Sequence, residues 1–468
     1  MRRRGLFLWL ALCAYALALY VTAPAWPDDW DGIGFIQSIR DFDLSRFHPH
    51  PPGYPVYVAL LRCAHFFVHD AIRACLVISV LSGCLAIALV WDTTRRLEGR
   101  WAASVVVCTE GALPMVWRVC SGIGSEAPAL AFAAACAWGL ARQPSWAGAL
   151  ALGLGAGLGL GTRLSWAPLY LAALAAVPPA GRARTWSVAL GACAAWAVPL
   201  LTIIGPSHLV SLYAEHLAGH LHRWGGTVAT DPGASRLKWL LRDVLVDGLG
   251  AGTDVLGVTV GTLTVVALVA ATNSWRAVHW RGALRVLLVV VPYLVWISFA
   301  QNLRDQPRHV LPLVVLLAAG LALRASRAPS AFGVVCALVL LMSVRTTKAA
   351  LTRRALAPPG AQLVALARAQ PAPGRVAVFG TTSIRFFELT ELSPNAFAAG
   401  TGGDVQLRLA RLPVLPSRVW VTSEVERMGA DPPWPLEHLA TLCGPPRLDL
   451  PPPCVGVDEW RLPYLPSR

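Results

Sequence analysis

Long apolar runs separated by short polar breaks fill the first three quarters of the chain. They occur at Leu6–Ala23 and near 71–91, 102–118, 125–141, 146–162, 164–178, 186–204, 250–271, 284–300, 309–323 and 330–344. One bilayer crossing needs about 20 apolar residues. The pattern therefore predicts about eleven transmembrane helices in a polytopic, all-α membrane domain over 1–345. Past residue 345 it changes. Arg375–Gly380 and Arg418–Thr422 read as buried strands between Pro-rich breaks, which predicts a small C-terminal α/β domain over 346–468.

The breaks carry a charge code. Arg2, Arg3 and Arg4 precede the first run; basic residues stay cytoplasmic, so the N-terminus is expected inside and the next loop outside. Every second break is then cytoplasmic, and those breaks hold Arg95, Arg96 and Arg100; Arg142; Arg182 and Arg184; Arg276, Arg281 and Arg285; and Arg324 and Arg327. An odd number of spans puts the C-terminal domain outside. Arg345, Lys348, Arg353 and Arg354 run against this pattern, although long domains translocate largely regardless of charge. A cleaved signal peptide ending near Ala23-Pro24-Ala25 is the alternative for the first run.

Composition agrees with a lipid environment. The 468 residues are 55% hydrophobic and 14% charged, against about 25% charged in soluble domains. The net charge of +14 sits mostly in the arginines of the breaks, and no motif supports nucleic-acid binding. Most of the eleven cysteines lie inside apolar runs and read as small core residues. Cys443 and Cys454 lie in the polar tail, where an oxidising compartment makes a disulfide the expectation. Gly153, Gly155, Gly157, Gly159 and Gly161 alternate with apolar residues, a signal of close helix packing.

Three outer segments concentrate the chemistry. The first, 24–57, holds Asp28, Asp29, Asp31, Asp41, Asp43, His48, His50 and Tyr54; its 33–47 stretch has helical apolar spacing and is expected to lie along the membrane surface. The second, 205–249, holds Glu215, His216, His220, His222 and Arg223 between two amphipathic flanks. The third, 301–309, holds Arg304, Asp305, Arg308 and His309. A carboxylate at a low-dielectric boundary suits a general base, and arginines hold a phosphate by paired charge-assisted hydrogen bonds. Together they suit attack by an acceptor hydroxyl on a sugar whose leaving group is a lipid phosphate. Blander roles compete: solvated loop acids for Asp28, Asp29 and Asp31, a snorkelling Arg163, a dipole-complementing Glu126. His216, His220 and His222 could hold a divalent metal, since i and i+4 share a helix face, although no nearby cysteine supports one.

The stretch from Trp30-Asp31 through Phe35, then Asp41-Phe42-Asp43-Leu44, then His48-Pro49-His50-Pro51-Pro52-Gly53-Tyr54-Pro55-Val56-Tyr57 resembles the multi-spanning C-type (GT-C) glycosyltransferases. It is most similar to bacterial protein O-mannosyltransferase-like members with an HPPGYP motif. Ser125-Glu126, Gly161-Thr162-Arg163 and Pro307-Arg308-His309-Val310-Leu311-Pro312 resemble further pieces of the family, in family order. The resemblance implies a GT-C-like fold, an outer-facing active site, a polyprenyl-phosphate sugar donor and a catalytic acid in the first outer loop. Asp31 matches the acid and Phe35 the aromatic, while Gly32 stands where many members have Glu. The base is thus sought among Asp31, Asp29 and Asp28, in that order. His48, His50, Tyr54, Glu126, Arg163, Arg304, Arg308 and His309 are the expected substrate contacts.

The expected function is inverting sugar transfer to a protein, lipid or glycan acceptor at the outer face of a bacterial inner membrane. Two rivals remain at this stage: a transporter or flippase, which predicts mid-membrane ionisable residues, and a non-catalytic binding protein.

Overall fold

The computed structural model describes residues 2–460 except 223–224, 234, 273–279, 305, 372–375, 400–401, 410, 413–415, 417, 426–435 and 446–452. The chain divides into two compact units. One comprises Met1–Ala23 and Ser38–Leu351, the other Pro24–Gln37 and Thr352–Arg468.

The first unit is helical: α1 Arg2–Val21, α3 Pro55–Val68, α4 Ala71–Ala112, α5 Pro114–Cys120, α6 Glu126–Leu140, α7 Trp146–Thr162, α8 Ala167–Ala175, α9 Pro179–Ile204, α10 Pro206–His222, α11 Ser235–Arg242, α12 Val255–Thr272, α13 Trp280–Ala300, α14 Leu311–Ala325 and most of α15, Pro329–Ala355. Among the described residues four helical stretches are long and apolar enough to cross a membrane: Ala71–Ala112, Pro179–Ile204, Pro307–Ala325 and Ala331–Arg368. Shorter apolar helices accompany them. The protein is thus an integral membrane protein with long apolar helices.

Local chemistry sets the helix ends. Asp70 caps α4 by accepting from the Arg73 amide (2.8 Å), and Ser145 caps α7 by accepting from the Gly148 amide (3.1 Å). The polar break expected at 92–101 narrows to one residue. The chain is helical on both sides of Gly99, which takes φ +91° and ψ 173°, a conformation open to glycine and strained for other residues. α3 is a helix the hydropathy pattern did not mark, because Arg62 and His65 interrupt its apolar run. Pro55 starts it, and Val56, Tyr57, Val58 and Leu61 are buried. The Arg62 side chain is absorbed locally, donating to the Ser38 and Ile39 carbonyls.

The alternating glycines of α7 face two ways, since steps of two residues along a helix alternate sides. A Cβ at Gly157 would come within 2.6 Å of the Ala189 carbonyl on α9, and Gly159 lies against the Tyr170 ring on α8. The absence of side chains lets the α7 and α9 backbones approach one another at Gly157 and makes room for the Tyr170 ring at Gly159. Trp166, Tyr170, Tyr293, Leu113 and Leu311 are among the fully buried side chains of the unit's main core.

The second unit holds α2 Trp30–Ser38 up to Gln37, the end of α15, α16 Pro359–Arg368, α17 Gly402–Leu409 and five strands: β1 Val376–Gly380, β2 Ala396–Ala398, β3 Arg418–Thr422, β4 Leu436–Cys443 and β5 Cys454–Trp460. The sheet order is β2-β1-β3-β5-β4. β1 runs parallel to β2 and β3, and β5 antiparallel to β3 and β4. β1 is buried at all five residues, as a central parallel strand should be. Cys443 and Cys454, cross-strand partners on β4 and β5, are joined by a disulfide of 2.04 Å.

The helix expected over 33–47 is shorter and differently placed. It starts at Trp30 and ends at Ser38, and a separate turn follows at Leu44–Arg46. Ile33 does not lie on a surface. It is fully buried with Leu363, Val364, Phe387 and Trp420, which an apolar residue prefers when a core is available.

Candidate functional site

Three chain segments far apart in sequence meet at one carboxylate in the first unit. Glu126 opens α6, Arg163 directly follows α7, and Arg308 lies in the Pro307–Val310 turn before α14. Arg163 Nη1 stands 2.9 Å from Glu126 Oε1 and donates to the Ser125 hydroxyl at 2.9 Å. Arg308 Nε is 3.1 Å from the same oxygen. The side chains are 4% (Glu126), 5% (Arg163) and 19% (Arg308) exposed. The carboxylate folds back over its own helix start, and a Cβ at Gly124 would overlap Glu126 Oε2, so a larger residue there would push the carboxylate aside.

Burying charges costs several kcal/mol per ion, so such a cluster is a poor way to gain stability. Two guanidinium groups around one carboxylate make the site cationic. Such a site suits an anion with several oxygens, such as a phosphate. Neighbouring aromatic hydroxyls brace the surrounding backbone: Tyr293 donates to the His309 carbonyl (2.7 Å) and Tyr170 to that of Ala129 (3.1 Å). His309 itself is buried.

The histidine-proline segment forms a tight turn in the same unit. Asp43 and His48 exchange backbone hydrogen bonds, both 2.8 Å. The Asp41 carboxylate takes Arg46 at 2.8 Å and His48 Nδ1 at 3.4 Å. His50 Nε2 meets the Tyr54 hydroxyl at 2.8 Å. α10 supports this turn from outside: Tyr213 donates to the Pro52 carbonyl (2.7 Å), and the His216 ring stacks on His50 at 5.8 Å.

Arg304 pairs with Asp231 at 3.4 Å. The Gly226 amide, the Thr230 hydroxyl and the nearby arginines hold the Asp231 carboxyl below its usual range. Asp305 and Arg223 lie outside the described residues. His220, one of the three possible metal ligands, hydrogen-bonds the Ala300 carbonyl through Nε2 at 2.7 Å. No group of three or more His, Cys, Asp or Glu is arranged to hold a metal among the described residues.

The three acids proposed as base belong to the second unit. Asp28 faces Arg353 at 3.5 Å. Asp29 caps α2, its Oδ1 accepting from the Gly32 amide at 3.0 Å. Asp31 lies in the first turn of α2 and is 8% exposed. Around it the helix is anchored by Gln37, which donates to the Glu388 carbonyl at 2.5 Å, and by Arg385 over the Trp30 ring.

Sequence reasoning did not single out Tyr213 or Arg236 and read Arg353 only as a charge against the topology pattern. None belongs to a motif, and each acts on a partner far away in the chain.

Residues 48–206 match the model of the dolichyl-phosphate-mannose-protein mannosyltransferase family. The mannosyltransferase-like segment begins at the His48 turn and includes Glu126 and Arg163. It leaves out the three first-loop aspartates and Arg308. No curated protein matches the sequence significantly. Among solved structures, the fold is similar to that of ArnT from Cupriavidus metallidurans bound to undecaprenyl phosphate. That match has a TM-score of 0.60 and 12% identity, and covers 96% of this chain and 97% of that one. The apo form of the same enzyme matches with a TM-score of 0.59 and 13% identity, over 98% of each chain. The fold is therefore ArnT-like, with a mixed five-stranded sheet in the C-terminal part.

Proposed function

We propose that the protein is a membrane glycosyltransferase that moves a sugar from a polyprenyl-phosphate donor to a protein, lipid or glycan acceptor on the outer side of a bacterial inner membrane. The observation that carries this reading is the convergence of Arg163 and Arg308 on Glu126. The lipid phosphate gathers negative charge as its bond to the sugar breaks, and fixed cations favour that transition state. The mannosyltransferase-like segment over 48–206 and the likeness to an enzyme crystallised with undecaprenyl phosphate support the same donor class.

In this reading Asp31 takes the proton of the acceptor hydroxyl, the hydroxyl oxygen bonds to the anomeric carbon, and the lipid phosphate leaves from the opposite face. Configuration is therefore inverted. Asp31 is preferred because it stands, with Phe35 after it, where the resembling family has its first-loop acid and aromatic. Arg304 contributes a further cation, and His48, His50, Tyr54 and His309 shape the substrate surroundings.

The test compares glycans and glycoproteins by mass spectrometry in wild-type cells, deletion cells, and deletion cells complemented with Asp31→Asn. A glycan should disappear in the deletion, and the variant should restore it at a rate lower by about 100-fold or more. Full restoration would remove Asp31 from the mechanism. Identical glycans in wild-type and deletion cells would overturn the assignment.

A further inference from the structure

An α-helix ends with four carbonyls that have no partner inside the helix. At the end of α13 four successive carbonyls, Ser298 to Gln301, are taken by one other stretch of chain. Arg236 Nε donates to Ser298 O at 2.8 Å, and its Nη2 donates to Gln301 O at 3.1 Å. The Val228 amide donates to Phe299 O at 3.3 Å, and His220 Nε2 to Ala300 O at 2.7 Å. The third arm of Arg236, Nη1, reaches Gly226 O at 2.5 Å, the carbonyl that also accepts from the Leu303 amide. Arg242 adds a bond to Arg304 O at 2.9 Å.

Every one of these donors but the Leu303 amide lies between residues 220 and 242, and every acceptor but Gly226 lies between 298 and 304. Arg236 is 7% exposed. Its planar fork reaches three carbonyls at once, a geometry that a lysine ammonium does not reproduce. A cation at a helix C-terminus is also favoured by the helix dipole.

The chain leaving this cap leads to Arg304, and Arg308, four residues on, has its guanidinium against Glu126. We infer that Arg236 is a positioning residue: by capping α13 in trans, it fixes where the chain leaves the helix at residues 301–304 and hence the place of Arg304 and Arg308 in an anion site for a lipid phosphate. This rests on the transferase reading above. It extends that reading from the groups that would touch the phosphate to the one that holds them in place. Displacements of about 1 Å are enough to cost two orders of magnitude in a preorganised site.

The experiment titrates purified full-length protein in nanodiscs with undecaprenyl phosphate and reads binding by native mass spectrometry. Arg236→Ala should weaken binding by about tenfold or more, with Arg236→Lys in between. Millimolar guanidinium should restore much of the loss in Arg236→Ala, because the ion can occupy the vacated fork; a general loss of folding would not be rescued. Arg308→Ala should lose binding and show no rescue. Wild-type binding by Arg236→Ala, alongside loss in Arg308→Ala, overturns the positioning role. So does a loss in Arg236→Ala and Arg236→Lys that guanidinium leaves untouched. If Arg308→Ala also binds as the wild type does, the anion site itself is gone, and the transferase reading fails with it.

Discussion

Two carboxylates in the first unit each gather several arginines, and they do so in opposite ways. Asp92 draws Arg95 and Arg96 from the next turn of its own helix, then Arg142 at 3.0 Å and the Trp138 indole at 2.9 Å. It is 22% exposed, and Arg142 also lies 3.8 Å over the Trp138 ring. Glu126 is nearly inaccessible, and neither of its arginines comes from its own helix. The first group follows from helical spacing at a polar break and pins α4 to α6, its hydrogen bonds outweighing the desolvation of the carboxylate. The second exists only once α6, α7 and the turn before α14 are packed, and stability alone does not explain it. A cluster assembled by the tertiary fold and withdrawn from water is the better candidate for binding.

Removing each carboxylate puts that contrast under test. Glu126→Ala should leave two guanidinium groups without their shared counter-charge. Breaking such a buried group costs about 3–5 kcal/mol, visible as a large drop in melting temperature in detergent. A loss no larger than that of Asp92→Asn would erase the distinction. Asp92→Asn should cost about 1 kcal/mol or less and less still at high salt, and should leave undecaprenyl phosphate binding as it was.

The smallest effect expected concerns His220, one of the long-range caps on α13. Burial lowers its pKa below the ordinary value. The folded protein therefore binds fewer protons than the unfolded chain as pH falls through about 6.5. The contribution of the neutral imidazole is present above that pH and is lost below it. A shallow decline in melting temperature from pH 7.5 to 5.5, flattened in His220→Asn, is the expected result; an equal slope in both proteins would take His220 out of the account.

Much of this architecture was legible in the residues. Apolar runs marked most of the helices, and Arg375–Gly380 and Arg418–Thr422 marked two strands of the sheet because short β-branched runs between prolines have few other readings. Ser125-Glu126 and Gly161-Thr162-Arg163 marked helix ends, and the structure joins those ends through Arg163 and Glu126. What periodicity could not reveal were long-range partners. Arg236 looked like one more charge on an amphipathic flank, because its acceptors are backbone carbonyls some sixty residues away and carbonyls leave no trace in a sequence. α3 escaped because hydropathy averages do not see that Arg62 is satisfied by backbone. The extent of α2 was misjudged because the core that buries Ile33 is supplied by residues beyond 360.

That last dependence has a consequence for biogenesis. The helix bearing Asp31 leaves the ribosome early, yet the residues that enclose it are made only after the whole first unit. At about 5–20 residues per second, the wait is on the order of half a minute. Throughout that interval Ile33 and its neighbours have no interior to enter. A nascent chain stalled before β1 should therefore expose an unfinished first loop to proteases and chaperones, and the acid would reach its final setting only when synthesis is nearly complete.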